Sequence, residues 1–564
     1  MPKRKLSGKN KSKLVSEESI NKIPNSLDET EQLNETELSR TPTKPVKKVI
    51  KKQPRIKESP ETVDLEVVSH EGVSSQNVKL DNVKTDNTTN PNDIQVESDI
   101  LPPDRDYVPL VMLLPNTPSD PNIFDKDIES GDIEMSSNID YPLFSLGFHH
   151  YIHQNKSKME ILKEFEKKKK VYLVMNKFER YVDNYPDDIG NYSEKFFDIG
   201  GATGKPNILS RGFYKLWEIL FMFDIIDLNK SDFVSAHLAE GPGSFIQATM
   251  FFRDRYAKKS TKQDKYYAVT LHPEDEGGHV PPLEKSFIEY YEKEKPKRFI
   301  LHKTYSKQVA GGSKDKDNED LTDPKTINLF GGQLDKNKSD LTTADGGFEW
   351  ANENTQEEEA FRLIFAQIVA ALKIQAEGGN FVCKFFETFT DTSLKFLYIL
   401  TQMYDQVYLV KCLMSRPSNS EKYAVCVGFR YKETDTEYKN VMKKLEDILS
   451  TLHKRQNENL VKLWSELILP NDFKLAMIYC NTYIANKQYK AINEIVQFIK
   501  EQNYYGDVYQ MRRQFQIDAN KYFISMFFPD DKNAYDKMQQ VREMTDVIIQ
   551  QNSNPKLLPK IAYV

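Results

Sequence analysis

The order of apolar and polar positions divides this chain into regions with different periodicities. From residue 233 onward, short apolar runs typical of buried strands alternate with stretches in which apolar residues recur every three or four positions. This alternation predicts an α/β fold with βαβ units and a largely parallel sheet that has helices on both faces. The predicted strands are 233–239, 266–271, 298–302, 341–344, 380–385, 407–413 and 422–429, and the predicted helices between them are 244–256, 356–376 and 392–404. The last two strands adjoin without room for a helix, so we expect them to form an antiparallel pair at one edge of the sheet.

Helical spacing also appears on both sides of this region. Residues 156–183 are expected to be mainly helical, and in 210–220 Ser210 can cap a helix whose Lys215 lies near the apolar stripe. Apolar residues three and four apart continue from 432 to about 551, which predicts a helical C-terminal region. In contrast, the Gly, Lys, Asp and Asn of 306–340 predict long mobile loops around the rim of the sheet.

The first hundred residues lack this patterning. They are rich in Lys, Glu, Ser, Thr, Asn and Pro and contain no aromatic residue, so burial cannot offset chain entropy and we expect a disordered tail. Its two basic clusters, 3–5 and 44–57, are interpreted either as a nuclear address or phosphate contact, or as part of a solvated tail. Aromatic residues begin at Tyr107, which predicts that the folded part starts between about 105 and 140.

Composition narrows the class of protein. The chain has 564 residues, of which 39% are hydrophobic and 11% aromatic, and this is enough for a large core. It contains no secretory signal and no apolar run long enough for a membrane span, so we expect a soluble intracellular protein with no membrane partner. The four cysteines lack metal-site or disulfide spacing, which predicts buried thiols and no metal site. They are Cys383, Cys412, Cys426 and Cys480.

A glycine-containing turn follows the first predicted strand. Its sequence is Glu240-Gly241-Pro242-Gly243-Ser244-Phe245, and glycines at this position of a doubly wound sheet allow a cofactor to approach the backbone. A dinucleotide site would need a third glycine at 246, where the chain has Ile246, so the sequence disfavours NAD. A tight turn without a ligand is the alternative interpretation.

Three charged residues lie near the ends of later predicted strands. Asp345 follows one strand, Lys384 lies at the end of the next, and Glu421 precedes the last. Parallel α/β sheets bind their ligands at the carboxyl ends of the strands, which predicts that Asp345 and Lys384 lie at one site. The alternative for this pair is a structural ion pair.

Five segments, taken together, resemble one family. In chain order they are SRGFYKLWEIL, HLAEGPGSF, ADGGF, GGNFVCKFFETFT and SRPSNSEKYAVC. They resemble the FtsJ-like RNA ribose 2′-O-methyltransferases, and most closely the Adrift-type enzymes that act on the mRNA cap. The resemblance covers about 205–431 and implies a Rossmann-like methyltransferase sheet. We therefore expect a disordered tail over 1–104, a partly helical flanking region over 105–204, the methyltransferase domain over 205–431 and a helical region over 432–564.

The resemblance also implies a catalytic tetrad and a cofactor. The tetrad falls on Lys215, Asp345, Lys384 and Glu421, and S-adenosylmethionine is expected at Glu240–Phe245 and Asp345. By the same resemblance Asp320 would bind the adenine, with Asp323 as the alternative. Our mechanistic hypothesis is that Lys384 is the general base, that Lys215 lowers the pKa of Lys384 and holds the substrate, and that the two acids orient them.

The implied substrate is RNA at the capped 5′ end of mRNA, and other capping or transcription proteins are candidate partners. The net charge of −6 is uninformative about RNA, since a groove needs only a local concentration of cations. Candidate phosphate contacts are Lys205, Arg211, Arg416 and Lys422, whereas Phe213, Tyr214 and Phe386 are expected in the core rather than on bases. The alternatives are a catalytically silent RNA-binding or scaffolding subunit and a ribosomal RNA methyltransferase. Nuclear and cytoplasmic locations, and cellular and viral sources, are all compatible with the sequence.

Overall fold

A computed structural model describes most of the chain outside its ends. The described residues are 102, 105–137, 146–200, 204–271, 283–294, 297–302, 319–347 and 354–553. The predicted tail, apart from Pro102, lies outside them together with its two basic clusters, as does 306–318 of the predicted loops.

One eight-stranded sheet organises the fold. Its order is β1-β8-β9-β7-β6-β3-β4-β5, in which β7, β6, β3, β4 and β5 are mutually parallel. A second, two-stranded sheet pairs β10 with β2. The strands are β1 (Leu110–Leu113), β2 (Ile133–Ser136), β3 (Val234–Leu238), β4 (Lys265–Val269), β5 (Phe299–Leu301), β6 (Ser339–Ala344), β7 (Gln375–Phe385), β8 (Tyr404–Lys411), β9 (Lys422–Phe429) and β10 (Asn459–Leu463).

Helices connect the strands and extend beyond the sheet. They are α1 (Leu146–Lys156), α2 (Ile189–Phe196), α3 (Arg211–Met222), α4 (Ser244–Tyr256), α5 (Lys285–Glu294), α6 (Pro324–Leu334), α7 (Gln356–Glu359), α8 (Phe361–Ile374), α9 (Asp391–Met403), α10 (Thr436–Lys454), α11 (Asn471–Lys500), α12 (Gly506–Phe527) and α13 (Ala534–Ser553). The alternating strands and helices confirm the predicted α/β class, and the last four helices confirm the helical C-terminal region.

Side chains alternate between two hydrophobic cores on the two faces of the sheet. In β7, Cys383 and Phe385 pack in one core, whereas Val382 packs in the other. The period of two along a strand produces this division, because successive side chains point to opposite faces. All four cysteines are buried free thiols, as predicted.

Segments on both sides of the predicted methyltransferase region pack into these same cores. β1 pairs antiparallel with β8, and α13 packs on β1 and α3. The Trp217 indole in α3 also donates a hydrogen bond of 2.6 Å to the carbonyl of Phe527 in α12. The flanking segments therefore support the helix that carries Lys215.

The edge of the sheet differs from our prediction. β8 and β9 are antiparallel as expected, but β9 lies between β7 and β8, and β1 forms the edge. The pairing of residues about three hundred positions apart, such as Leu110 with Lys411, leaves no signal in local periodicity.

Two other predictions were wrong in part. Helix α1 ends at Lys156, and 157–183 contains only the 3₁₀ turns Ser157–Phe165 and Val171–Met175, because Phe165 and Val174 pack against α11 instead of continuing a helical stripe. The predicted loops over 306–340 include α6 and the start of β6. The missed signal was Asp323 before Pro324, since the Asp323 side chain accepts from the Lys325 amide and Pro324 favours a first helical turn.

Candidate active site

The first lysine of the predicted tetrad lies on α3. Ser210 caps this helix, because its Oγ accepts from the Gly212 amide at 3.1 Å. Lys215 Nζ lies 2.7 Å from Glu421 Oε1 and 2.9 Å from Oε2, with both side chains 13% exposed. Burial alone would raise the pKa of Glu421, but Lys215 and Lys384 lower it to about 2. Glu421 is therefore a carboxylate at neutral pH.

The second lysine forms the other half of the site. Lys384 Nζ lies 3.1 Å from Asp345 Oδ1 and donates to the Asp345 carbonyl at 2.8 Å. Asp345 follows β6 and Lys384 lies near the end of β7, and these neighbouring parallel strands bring the two residues together at the predicted rim. Because Lys384 also acts on Glu421, the structure places all four predicted residues in one electrostatic cluster.

Two hydroxyl groups that the sequence analysis missed connect this cluster. The Tyr423 hydroxyl donates to Asp345 Oδ1 at 3.1 Å, and Ser415 Oγ donates to Glu421 Oε1 at 2.9 Å. Tyr423 is opposite Lys384 in the β7–β9 register, so the two side chains lie on the same face. Side chains two residues apart in a strand point to the same face, so Tyr423 is expected on the same face as Glu421. This period of two was the signal available in the sequence.

The loop between β8 and β9 is anchored by two buried charged residues. Lys411 Nζ donates to the carbonyls of Asn419 at 2.8 Å and of Glu421 at 2.9 Å. From α3, the Glu218 carboxylate accepts from the Leu413 amide at 2.8 Å. Burial lowers the pKa of Lys411 to about 7 and raises that of Glu218 to about 8. Neither residue was predicted, since their partners lie in a loop without regular periodicity.

The glycine turn approaches the same cluster. Glu240 accepts from the amides of Phe245 at 2.8 Å and Ile246 at 2.9 Å, at the start of α4. Its other oxygen, Oε2, is buried without a hydrogen-bond partner, and burial, with the Asp345 carboxylate, raises the pKa of Glu240 to about 8. Gly243 has φ of +112°, where a side chain would be strained. The turn therefore holds a buried carboxyl oxygen without a hydrogen-bond partner, which suits a ligand with hydroxyl or amino donors.

The backbone at the start of α3 lies close to the glycine turn. A Cβ added to Gly212 would lie 3.2 Å from the Ser244 Cβ and 3.3 Å from Asp345 Oδ2. Ser210 Oγ and Ser244 Oγ are 2.6 Å apart. The start of α3, the glycine turn and Asp345 thus converge, although the sequence analysis did not single out Gly212.

The predicted adenine residue lies after β5. Asp320 Oδ1 accepts from the Thr322 amide and from Thr322 Oγ1, both at 2.9 Å. Asp323, the alternative, caps α6 and faces His453 Nε2 at 3.9 Å. Each aspartate accepts from the amide two residues later, so these contacts do not separate them: Asp320 stays the predicted adenine ligand and Asp323 the alternative.

All four proposed phosphate contacts have partners within the protein. Arg211 and Arg416 both bind the buried Glu179 carboxylate, and Lys422 is buried and donates to the Phe386 carbonyl. Lys205 Nζ donates to the Phe197 carbonyl at 2.9 Å and lies 4.2 Å from the centre of the Phe251 ring. These cations stabilise the fold, because burying an unpaired charge is costly. The aromatic residues expected in the core, Phe213, Tyr214 and Phe386, are buried there.

Part of the chain is similar to known proteins. Residues 208–429 match the FtsJ-like methyltransferase family and form an FtsJ-like methyltransferase domain. FtsJ-like methyltransferases are in general S-adenosylmethionine-dependent. In the part of the chain that the structure describes, no helix has the length and apolar character of a membrane span.

The curated proteins that are similar to this chain are named after one activity. Cap-specific mRNA (nucleoside-2′-O-)-methyltransferase 2 of Drosophila melanogaster is 29% identical, over 50% of this chain and 38% of the relative. Cap-specific mRNA (nucleoside-2′-O-)-methyltransferase 1 of Mus musculus is 34% identical, over 32% of this chain and 22% of the relative. An inactive cap-specific mRNA (nucleoside-2′-O-)-methyltransferase 1B of Caenorhabditis briggsae is 28% identical, over 49% of this chain and 31% of the relative. The matched region spans less than two fifths of the length of each of these relatives.

Proposed function

We propose that this protein transfers a methyl group from S-adenosylmethionine to a ribose 2′-hydroxyl of RNA at the capped 5′ end of mRNA. The observation that carries the proposal is the pair of lysine–carboxylate contacts, Lys215 with Glu421 and Lys384 with Asp345, beside a glycine turn. The FtsJ-like match over 208–429 supports the reaction, and the names of the relatives support the mRNA cap as the substrate.

The residues around the turn fit the proposed cofactor. Glu240, the backbone of 241–245, Asp345 and Asp320 would hold S-adenosylmethionine, which supplies an electrophilic methyl group when bound. The unsatisfied Oε2 of Glu240 supports this assignment.

We assign proton removal from the substrate hydroxyl to Lys384. The Lys384 Nζ contacts two oxygens of Asp345, its Oδ1 and its carbonyl. Because the nitrogen is tetrahedral, another of its bonding directions can point to the ribose hydroxyl. A lysine acts as a base only when neutral, and a second ammonium favours the neutral form. Lys215 and Lys384 both act on Glu421, and the contact of Lys215 with Glu421 orients the Lys215 side chain.

Substitutions at Lys384 test this assignment. Lys384→Ala and Lys384→Arg are each expected to reduce kcat for methyl transfer by at least about 100-fold, since alanine lacks the base and guanidinium does not deprotonate. Lys373→Ala is the matched control, because Lys373 pairs with Glu446 on the helical layer away from the tetrad. Near wild-type transfer by a folded Lys384→Ala variant would contradict the role of Lys384.

A panel of short RNAs tests the substrate. Capped RNAs that differ only in 2′-methylation of the first and second nucleotides are incubated with radiolabelled S-adenosylmethionine, beside uncapped RNA and ribosomal RNA. We expect incorporation into capped RNA and its loss when the target ribose is already methylated. Preferential transfer to uncapped ribosomal RNA would contradict the cap assignment and favour the ribosomal alternative.

A second candidate is a silent RNA-binding or scaffolding subunit. The inactive relative from Caenorhabditis briggsae favours it, because a chain with 28% identity to this one carries that name. The same panel separates the two functions. Binding of capped RNA without methyl incorporation, under conditions in which an active cap methyltransferase turns over, would support the silent subunit.

A further inference from the structure

A cavity that the proposed chemistry does not use lies beside the tetrad. Its volume is about 270 Å³, far more than a single water needs. Most of its walls come from outside the FtsJ-like match, from residues before β1, the segment 175–178, α11 and α12. The loop after β8 supplies the remaining wall.

The shared wall connects the cavity to the site. Lys411 and Ser415 line the cavity, and both also bind Glu421, through its carbonyl at 2.9 Å and its Oε1 at 2.9 Å. Glu421 in turn binds Lys215. A ligand in the cavity would therefore be adjacent to a substrate held by the tetrad.

The lining is predominantly cationic. Lys177, Lys411, Lys487, Lys490 and Arg512 line the cavity, with Asp106 and Glu494 as the only carboxylates among its lining residues. Burial would raise the pKa of Asp106, but contact with Lys177 and the fields of Lys487 and Lys490 lower it, so three ammonium groups converge on one carboxylate. The side chain of Lys490 is 75% exposed, which makes the cationic wall accessible from solvent.

Aromatic rings lie among these cations. Phe515 on α12 is 39% exposed and lines the cavity beside Arg512. Tyr483 also lines it, with Lys487 Nζ 4.8 Å from the centre of its ring. An exposed phenylalanine within a cationic wall is unusual for a surface whose only role is solvation, and this combination is typical of sites that bind single-stranded nucleic acid.

We propose that this cavity binds one nucleotide of the RNA chain next to the acceptor ribose, with its phosphate on Lys487, Lys490 and Arg512 and its base on Phe515. The inference rests on the proposed function, because it assigns a further contact to the same substrate. Cations alone would also suit an acidic peptide. Phe515 favours RNA, since a base stacks on a ring and an acidic side chain does not.

Charge reversal tests the phosphate contacts. The Lys487→Glu/Lys490→Glu variant is expected to weaken binding of a short capped RNA at least tenfold and to lower the salt slope of log K by about 1.4, for two contacts on single-stranded RNA. Lys285→Glu/Lys443→Glu is the control, because both lysines are exposed, lie outside the cavity and change the net charge equally. Binding is measured by fluorescence polarisation, and circular dichroism checks folding. Lys487→Gln/Lys490→Gln, with an expected intermediate loss, replaces the first variant if that variant is misfolded.

Phe515→Ala tests the base contact independently. We expect about tenfold weaker RNA binding with an unchanged salt slope, since stacking involves no counterion release. In methyl-transfer assays, both sets of variants should raise KM for RNA and leave KM for S-adenosylmethionine unchanged.

Several results would overturn the inference. The first is that the cavity variants bind RNA as tightly as the control variant does. If the wild-type protein still methylates RNA, this result contradicts the cavity and leaves the proposed function intact. Another is competition by a poly-glutamate peptide that binds more tightly than RNA, and a third is the absence of RNA binding by the wild-type protein. Conversely, cavity-dependent RNA binding without methyl transfer would support the cavity and contradict the enzymatic proposal.

Discussion

Asp345 is held by the rest of the site from several sides. Its Oδ1 faces both Lys384 and Tyr423, its carbonyl accepts from Lys384, and its Oδ2 lies against Gly212. A carboxylate held from several sides has little freedom to rotate. We infer that Asp345 aligns the proposed base, because Lys384 follows any movement of its partner.

Tyr423→Phe tests this alignment at the residue scale. The variant removes the hydroxyl that donates to Asp345 but keeps the buried ring, and a hydrogen bond to a charged group contributes about 1.5 to 3 kcal/mol. We expect kcat to fall about tenfold with little change in KM, measured by steady-state methyl transfer. Tyr404→Phe is the control, since this buried tyrosine donates only to Gln375, at 3.4 Å. A kcat within twofold of wild type would contradict the role of Tyr423.

At the scale of elements, α3 and the loop after β8 form one unit. Glu218 on α3 binds the amide of Leu413, and Lys215 on the same helix binds Glu421 at the other end of the loop. Lys411 closes the loop from β8. The positions of Lys215 and Glu421 therefore depend on each other through backbone contacts as well as through their ion pair.

Glu218→Gln tests how α3 holds the loop. Burial raises the pKa of Glu218 from 4.5 to about 8, so at pH 6 the folded protein keeps a proton that the unfolded chain has lost, and stability falls as the pH rises from 4.5 to 8. Glutamine keeps an acceptor for the Leu413 amide and does not titrate. The variant should match wild type at about pH 4 and gain about 1.4 kcal/mol relative to it per pH unit between 4.5 and 8, measured by urea unfolding. Glu437→Gln, at an exposed position on α10, is the control. An equal pH slope in wild type and Glu218→Gln would contradict the prediction.

At the scale of the whole molecule, buried titratable groups limit stability on both sides of neutral pH. Burial raises the pKa of Glu218, Glu240 and Glu358 to about 8. The folded state binds more protons than the unfolded state between their ordinary value of 4.5 and 8, so stability falls as pH rises through this range. Burial lowers the pKa of Lys411 to about 7, so this residue makes stability rise as pH rises from 7 to 10.5. Up to about pH 8, the loss of stability from the three glutamates is larger than the gain from Lys411.

Other groups act on the acid side. Burial would raise the pKa of Glu387 and Glu421, but nearby lysines lower both to about 2, so their contribution is lost as pH falls from 4.5 toward 2. Burial lowers the pKa of His149 to about 4 and of His237 to about 3, and their contribution is lost as pH falls below 6.5. We expect the highest Tm at about pH 5 to 6, measured by scanning fluorimetry from about pH 3 to 9. A maximum above pH 8 would contradict these assignments.

Local sequence patterns were sufficient to predict the strands and helices that alternate in the α/β region. Strand β9 and helix α4 have their predicted bounds, 422–429 and 244–256, because neighbouring residues alone determine a period of two or of three to four. The FtsJ-like motifs also indicated which residues meet at the rim, since the carboxyl ends of parallel strands lie together. The catalytic roles stay predictions that the Lys384 substitutions test.

Contacts between distant segments could not be predicted in this way. Charge alone suggested that Arg211 and Arg416 bind phosphate, but Glu179, which lies outside the predicted domain, binds both. The sequence by itself determined the α/β class, the glycine turn and the four charged residues, because these depend on short-range periodicity and spacing. Only the tertiary structure decided that β1 forms the sheet edge, that Tyr423 holds Asp345 and that the flanking segments build a basic cavity, because packing brings together residues that are far apart in the sequence.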